Sequence, residues 1–183
     1  MAPKTENAFA IWITGLPASG KSTLTRALRE QLASRKVNVV VLESDVLRKI
    51  LTVLPQYSDE ERDLFYQQMT GIGAMLVGQG VPVIFDATAT SRAFRERARQ
   101  QIAHLIEVYV ECPLEVCMAR DPKGIYRQAR EGDATHVPGL QTAYEPPDNP
   151  EVVVHGDKEL AGPAAQRVIE KLEAEGYLAR QEP

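Results

Sequence analysis

Eight consecutive residues, Gly15-Leu16-Pro17-Ala18-Ser19-Gly20-Lys21-Ser22, fit the pattern G-x-x-x-x-G-K-[ST]. Glycines at those two places let backbone N–H groups curl round a polyphosphate, the Lys reaches the outer phosphates, and the Ser hydroxyl can ligate Mg²⁺. The run from Gly15 to Thr23 is therefore the candidate ATP-binding loop, with Lys21 as candidate catalytic cation and Ser22 as candidate ligand of Mg²⁺. A second group of chemistry-bearing residues is Asp45 and Arg48, three apart in Glu43-Ser44-Asp45-Val46-Leu47-Arg48. On a starting helix both can face one pocket. The plainer alternative is a helix N-terminal acid with a surface partner.

These residues need elements to hold them. Phe9 to Thr14 is an apolar, β-branched run that reads as a buried strand. After the loop, Leu24, Leu28 and Leu32 lie four apart, along one helical face. Strand, glycine loop and helix thus follow in the order a phosphate site requires, with the helix N-terminus aimed at the ligand. Val37 to Leu42 reads as a second strand, covered on both faces, that delivers Asp45 and Arg48 to its carboxyl end. Ser58-Asp59-Glu60-Glu61 is a capping box opening a helix to about Val77, in which Gly71 and Gly73 suggest close packing. Val81 to Phe85 is a third strand ending at Asp86, a candidate for the acid that organises Mg²⁺ in phosphate-loop enzymes, or else a capping acid. Arg92 lies nearest that edge in the arginine-rich helix that follows. Leu105 to Val110 is a fourth strand, Glu151 to Val154 a short fifth, and Pro163 to Glu175 a closing amphipathic helix. Between the last two strands, residues 120–133 are polar, bounded by Gly and Pro, and carry Arg120, Lys123, Arg127 and Arg130, the composition of a mobile lid over a phosphorylated ligand.

At 183 residues one domain spanning 1–183 is expected. The net charge of −4 argues against a sequence-independent grip on long nucleic acid, which needs many basic phosphate contacts. No apolar stretch approaches bilayer length, and Met1 to Asn7 lacks a secretory apolar region, so the expectation is a cytoplasmic protein with no membrane partner. Cys112 and Cys117, without a His/Cys cluster, read as buried reduced thiols rather than a zinc site. His104 reads as a surface or capping residue.

The chain resembles the adenylylsulfate (APS) kinases over nearly its whole length. The resemblance is densest in Ala119-Arg120-Asp121-Pro122-Lys123-Gly124-Ile125-Tyr126-Arg127-Gln128-Ala129-Arg130, with support from Ile106-Glu107-Val108-Tyr109-Val110 and from Gly139-Leu140 through Tyr144-Glu145-Pro146-Pro147. It implies transfer of phosphate from ATP to the ribose 3′-hydroxyl of APS. Carried over by matching positions, Asp45 would take or orient the hydroxyl proton and Arg48 would hold the phosphosulfate. Tyr57 would stack on adenine, Arg62 would add a second anion contact, Lys123 and Val137 would lie at the substrate, and Arg120 and Arg127 would neutralise charge in the transition state. A homodimer is implied as well. This chain differs from the family's pattern at Phe65, where an Asn stands, at Ala87-Thr88-Ala89-Thr90, which lacks a Ser, and at Val137, where an aromatic stands. Phe85-Asp86-Ala87-Thr88 with Arg92, and Ser44-Asp45 with Arg48, are similar to other phosphate-loop kinases acting on polynucleotide 5′ ends and small hydroxyl compounds.

The expectation is a single α/β domain, a five-stranded parallel sheet with helices on both faces and a lid, using ATP and Mg²⁺ to phosphorylate a small hydroxyl acceptor, APS first. The alternatives are a kinase for a different small acceptor and an ATP-sensing binding module.

Overall fold

The computed structural model describes residues 8–52 and 54–180; the N-terminal stretch Met1 to Asn7 discussed above lies outside them. The chain alternates strand and helix: β1 (Ala10–Thr14), α1 (Lys21–Ser34), β2 (Val40–Glu43), α2 (Ser44–Leu51), α3 (Asp59–Gly78), β3 (Val83–Asp86), α4 (Arg92–Gln101), β4 (Leu105–Glu111), α5 (Leu114–Arg120), α6 (Ile125–Glu131), β5 (Val152–His155) and α7 (Ala161–Ala174). All strand pairs are parallel, in the order β2-β3-β1-β4-β5. The register sets Ile13 beside Asp86, and Asp86 beside Glu43. Three carboxyl ends therefore finish level, so the glycine loop, the start of α2 and Asp86 open onto one edge, where open α/β sheets bind ligands. Among the described residues no helix is long and apolar enough to cross a membrane.

Period-two alternation divides the sheet's two faces. Phe9, Ile11, Ile13, Ile106 and Val108 pack against Leu24, Leu28 and Leu32 of α1 and against Val168, Ile169 and Leu172 of α7. Ala10, Trp12, Val83 and Phe85 pack against Phe65, Tyr66 and Met69 of α3 and Ala98 of α4. The leucine stripe of α1 is thus buried as its spacing requires. Of the two α3 glycines, one is in close contact. A Cβ on Gly73 would stand 2.1 Å from Cζ of Phe85, whose ring stacks on Trp12 at 4.5 Å, whereas Gly71 faces open space. Gly73→Ala should therefore cost about 1–3 kcal/mol by overpacking, while Gly71→Ala should gain up to about 1 kcal/mol by restricting the unfolded chain. Urea unfolding of the two variants checks both signs.

Two expectations are corrected by the fold. β2 begins at Val40 rather than Val37 and is an edge strand, with Leu42 buried in one core, Val41 half-buried against the other, and Val40 and Glu43 exposed, so both faces are covered only in part. The lid carries a two-turn helix, α6, whose Tyr126 and Ala129 are buried with Cys112, Cys117 and Val137 in a third apolar cluster. Its polar composition hides these anchors, because they fall three apart on the one face that turns inward. Both cysteines are free and buried, as expected, and His104 stacks on Tyr177 at 4.7 Å.

Candidate active site

The loop after β1 is built for close approach. Gly15 has φ 147°, and a Cβ there would lie 2.4 Å from the carbonyl oxygen of Val110 on β4. Only glycine lets the loop cross the sheet edge so closely. Gly20, at φ 112° and ψ 6°, turns the chain into α1, which has no side-chain cap and no acid in its first turn. By contrast α3 has Ser58 accepting from the Glu61 amide and three acids in its first turn. The first amides of α1 are left for an anion, favoured also by the helix dipole. Lys21 is buried, and its Nζ donates to the carbonyls of Gly15 and Leu16 at 2.9 and 2.8 Å. Burial pushes its pKa down to about 8, against the pull of Asp86 and Asp45. An ammonium held at that cost is matched to an incoming polyphosphate.

Two cavities meet at this edge. The first, of about 640 Å³, is lined by the loop residues Pro17, Ala18, Gly20, Lys21, Ser22 and Thr23, by Asp45 and Asp86, and by Arg120 and Lys123 from the lid side. The second, of about 490 Å³, is lined by Asp45, Arg48, Tyr57, Arg62, Thr88, Thr90, His136 and Val137. Asp45 borders both, and its carboxylate is paired with Lys123 Nζ at 2.5 Å. That pairing raises the Lys123 pKa. Asp86 is buried and accepts a hydrogen bond from the Thr25 hydroxyl at 3.1 Å, which aims the carboxylate into the first cavity. No group of three or more His, Cys, Asp or Glu side chains could hold a metal ion among the described residues. Ser22 and Asp86, one hydroxyl and one carboxylate, do fit Mg²⁺, which keeps several waters and takes its remaining oxygens from phosphates.

The lid touches the loop directly. Tyr126 of α6 donates its hydroxyl to the Pro17 carbonyl at 3.1 Å, and Gly139 gives room to Leu16, whose Cδ2 would stand 2.7 Å from a Cβ there. Arg127, like Arg130, differs from Arg120 and Lys123. It is exposed, lines neither cavity, and its amide donates to Asp121 Oδ2 at 2.9 Å. Arg62 is buried, with Nε and Nη2 engaged by the carbonyls of Tyr57 and His136 at 3.1 and 2.7 Å. It ties the start of α3 to the loop before Val137 while bordering the second cavity. Arg92, near the β3 edge, is half exposed and pairs with Asp148 at 2.5 Å, away from both cavities.

A family model described as adenylylsulphate kinase matches residues 7–155. The chain belongs to the adenylylsulfate kinase family. Relatives in that family agree along nearly the full length. Adenylyl-sulfate kinase of Synechococcus sp. (strain JA-3-3Ab) is 39% identical over 168 residues, covering 92% of this chain and 96% of the relative. A probable adenylyl-sulfate kinase of Archaeoglobus fulgidus is 42% identical over 151 residues, covering 82% and 97%. Among solved structures, the Mycobacterium tuberculosis APS kinase CysC in complex with AMPPNP and APS superposes with a TM-score of 0.86 at 30% identity, covering 91% of this chain and 98% of that one. The kinase family membership and the two-cavity geometry agree.

Several residues at the site carry no role in the sequence beyond membership of a compared segment, or none at all. Thr88 and Thr90 border the second cavity, in a turn where Ala89 has φ 43°. That turn is clamped: the Ala89 amide donates to the Tyr66 hydroxyl at 3.0 Å, and the buried Arg95 holds the Ala89 carbonyl while pairing with Glu107 through Nε at 2.6 Å. Tyr144 and Glu145 finish the clamp, the first by a hydroxyl contact to Thr14 at 3.0 Å and the second by its amide to the Thr90 carbonyl at 2.9 Å. Gly156, just past β5, borders the first cavity. A search of every strand's carboxyl end would have found it.

Proposed function

We propose that this kinase transfers the γ-phosphoryl group of ATP to the ribose 3′-hydroxyl of APS, giving ADP and 3′-phospho-APS. The observation that carries the reading is that Asp45 borders both cavities, one lined by the phosphate loop and one by Arg48, Arg62 and Tyr57. Full-length similarity to adenylyl-sulfate kinases supports APS as the acceptor.

The residues divide the work. Backbone amides of the loop, those of Gly20, Lys21 and Ser22 at the start of α1 above all, cradle the β- and γ-phosphates, and Lys21 exchanges its two loop carbonyls for phosphate oxygens. Ser22 and Asp86 would hold Mg²⁺, which when bound neutralises charge on the β- and γ-oxygens. In the second cavity Arg48 grips the phosphosulfate through its forked donors, Tyr57 and Val137 flank the adenine, and Arg62 holds the wall. Asp45 accepts the 3′-hydroxyl proton as that oxygen bonds to the γ-phosphorus and the bond to the β–γ bridging oxygen breaks. Arg120 and Lys123 face the transferring group from the lid and stabilise its equatorial charge. Arg127 would join them only after a shift of the lid. One domain over residues 1–183, a homodimer and a cytoplasmic location complete the proposal; light scattering that returns single chains would overturn the dimer.

The test is product identification. Phosphorus NMR of a reaction with Mg-ATP and APS should show one ADP for each new 3′-monoester. Phosphate at any other position would contradict the assignment of Asp45 to the 3′-hydroxyl.

A further inference from the structure

Glu61 lines neither cavity, yet three groups around the second one converge on it. Its Oε1 accepts from Arg48 Nη1 at 2.9 Å. Its Oε2 accepts from the amides of Gln56 and Tyr57 at 2.5 and 3.2 Å. Both side chains of the ion pair are largely shielded, at 12% and 18% exposure, so the pair is less screened than a surface bridge. Tyr57 sits at φ 59°, in the left-handed region that a bulky side chain adopts at a cost unless its surroundings dictate it. Two constraints dictate it here: the amide bond to Glu61, and the Tyr57 carbonyl's bond from Arg62 Nε at 3.1 Å.

The turn in Tyr57 brings its ring to Arg48. The guanidinium carbon lies 5.0 Å from the Tyr57 centroid and 4.0 Å from that of Phe65, which is itself buried behind the wall. An arginine held by two ring faces and one carboxylate keeps a single orientation, and its remaining donors are directed by that orientation.

We infer that Glu61 is the positioning residue of the acceptor cavity: one carboxylate sets both the Arg48 guanidinium and the left-handed turn of Tyr57, with Phe65 as the platform beneath the guanidinium. Glu61 itself touches no substrate. Its two oxygens must both be acceptors, so Gln, whose amide nitrogen accepts nothing, can serve only one arm. The inference rests on reading the second cavity as the APS site.

The experiment is steady-state kinetics of Glu61→Gln, Glu61→Ala and Phe65→Leu, with APS and ATP varied separately. Loss of one charge-assisted arm should raise the KM for APS about tenfold in Glu61→Gln, and by more in Glu61→Ala. Phe65→Leu, which keeps the volume apolar and removes the ring face, should raise it by a few-fold. The KM for ATP should stay within about twofold, because the phosphate loop is untouched. In the pair Arg48→Ala and Glu61→Gln, the double variant should be little worse than Arg48→Ala alone, as coupled residues are. Glu61→Gln is isosteric and carries the test if Glu61→Ala fails to fold. An APS KM unchanged in Glu61→Gln, or a rise matched by ATP, would overturn the inference while leaving the APS reading standing. A wild-type protein inert towards APS but active on another acceptor would overturn both.

Discussion

Lys21→Ala is expected to lower turnover by about 10²-fold or more, the range for losing one preorganised group that meets developing charge. The effect should be large because nothing else takes its place. Arg120 and Lys123 approach from the lid side, whereas Lys21 rises from the loop itself and donates to Gly15 and Leu16. The variant should also bind ATP less tightly, since the ammonium meets the ground-state phosphates as well as the transition state. Folding should survive. Burial already pushes the Lys21 pKa down to about 8, so removing the side chain also removes an unfavourable desolvation. A steady-state comparison of kcat decides it. Turnover within twofold of wild type would contradict the assignment of the glycine loop to phosphate transfer.

Asp45→Asn is expected to lower kcat by about 10²- to 10⁴-fold, the contribution of a positioned proton acceptor. It should leave the KM for ATP nearly unchanged. The substitution is isosteric, and the ion pair it removes is exposed on both sides, at 62% for Lys123 and 66% for Asp45. Such pairs contribute no more than about 1 kcal/mol to stability, so a large kinetic loss cannot be ascribed to unfolding. Lys123→Ala supplies a comparison, since Lys123 itself faces the transferring group. It removes the same ion pair and keeps the carboxylate, and its loss in kcat should be smaller than that of Asp45→Asn. If Asp45→Asn loses no more than Lys123→Ala, Asp45 acts by holding Lys123 towards the transferring group and not as the proton acceptor.

Much of this architecture was legible because the sequence and the sheet share one logic. The strand-loop-helix order around Gly15 and Gly20, the leucine stripe of α1 and the Asp at the end of β3 are local signals, and each fell where its spacing required. Val37 to Leu42 is nearly all apolar, the pattern of a strand covered on both faces. In the sheet it lies at the edge, a fact of strand order that no local run encodes. Its charges mark the lid in the sequence, and they mask the buried Tyr126 that moors it to Pro17. Glu61 shows the same limit more sharply. An S-x-x-E box predicts a cap, and the Ser58 half of it forms at 3.2 Å. The carboxylate instead reaches back to Gln56, Tyr57 and Arg48, a choice made by the turn at Tyr57 and the arrival of α2. Likewise Arg92 stood out by its place at the strand edge, yet Arg95, one helical turn on, is the arginine that the core encloses with Glu107.

The most direct test of the account is a coupled ADP-release assay with Mg-ATP, comparing APS with a panel of nucleosides, sugars and oligonucleotide 5′ ends. APS-dependent turnover on the order of 1–10³ s⁻¹ is expected, as is usual for enzymes, with no comparable rate for the other acceptors. Silence with APS alongside turnover of another small hydroxyl compound would contradict it, and would mean that Phe65, Ala89 and Val137 mark an acceptor cavity turned to a different substrate.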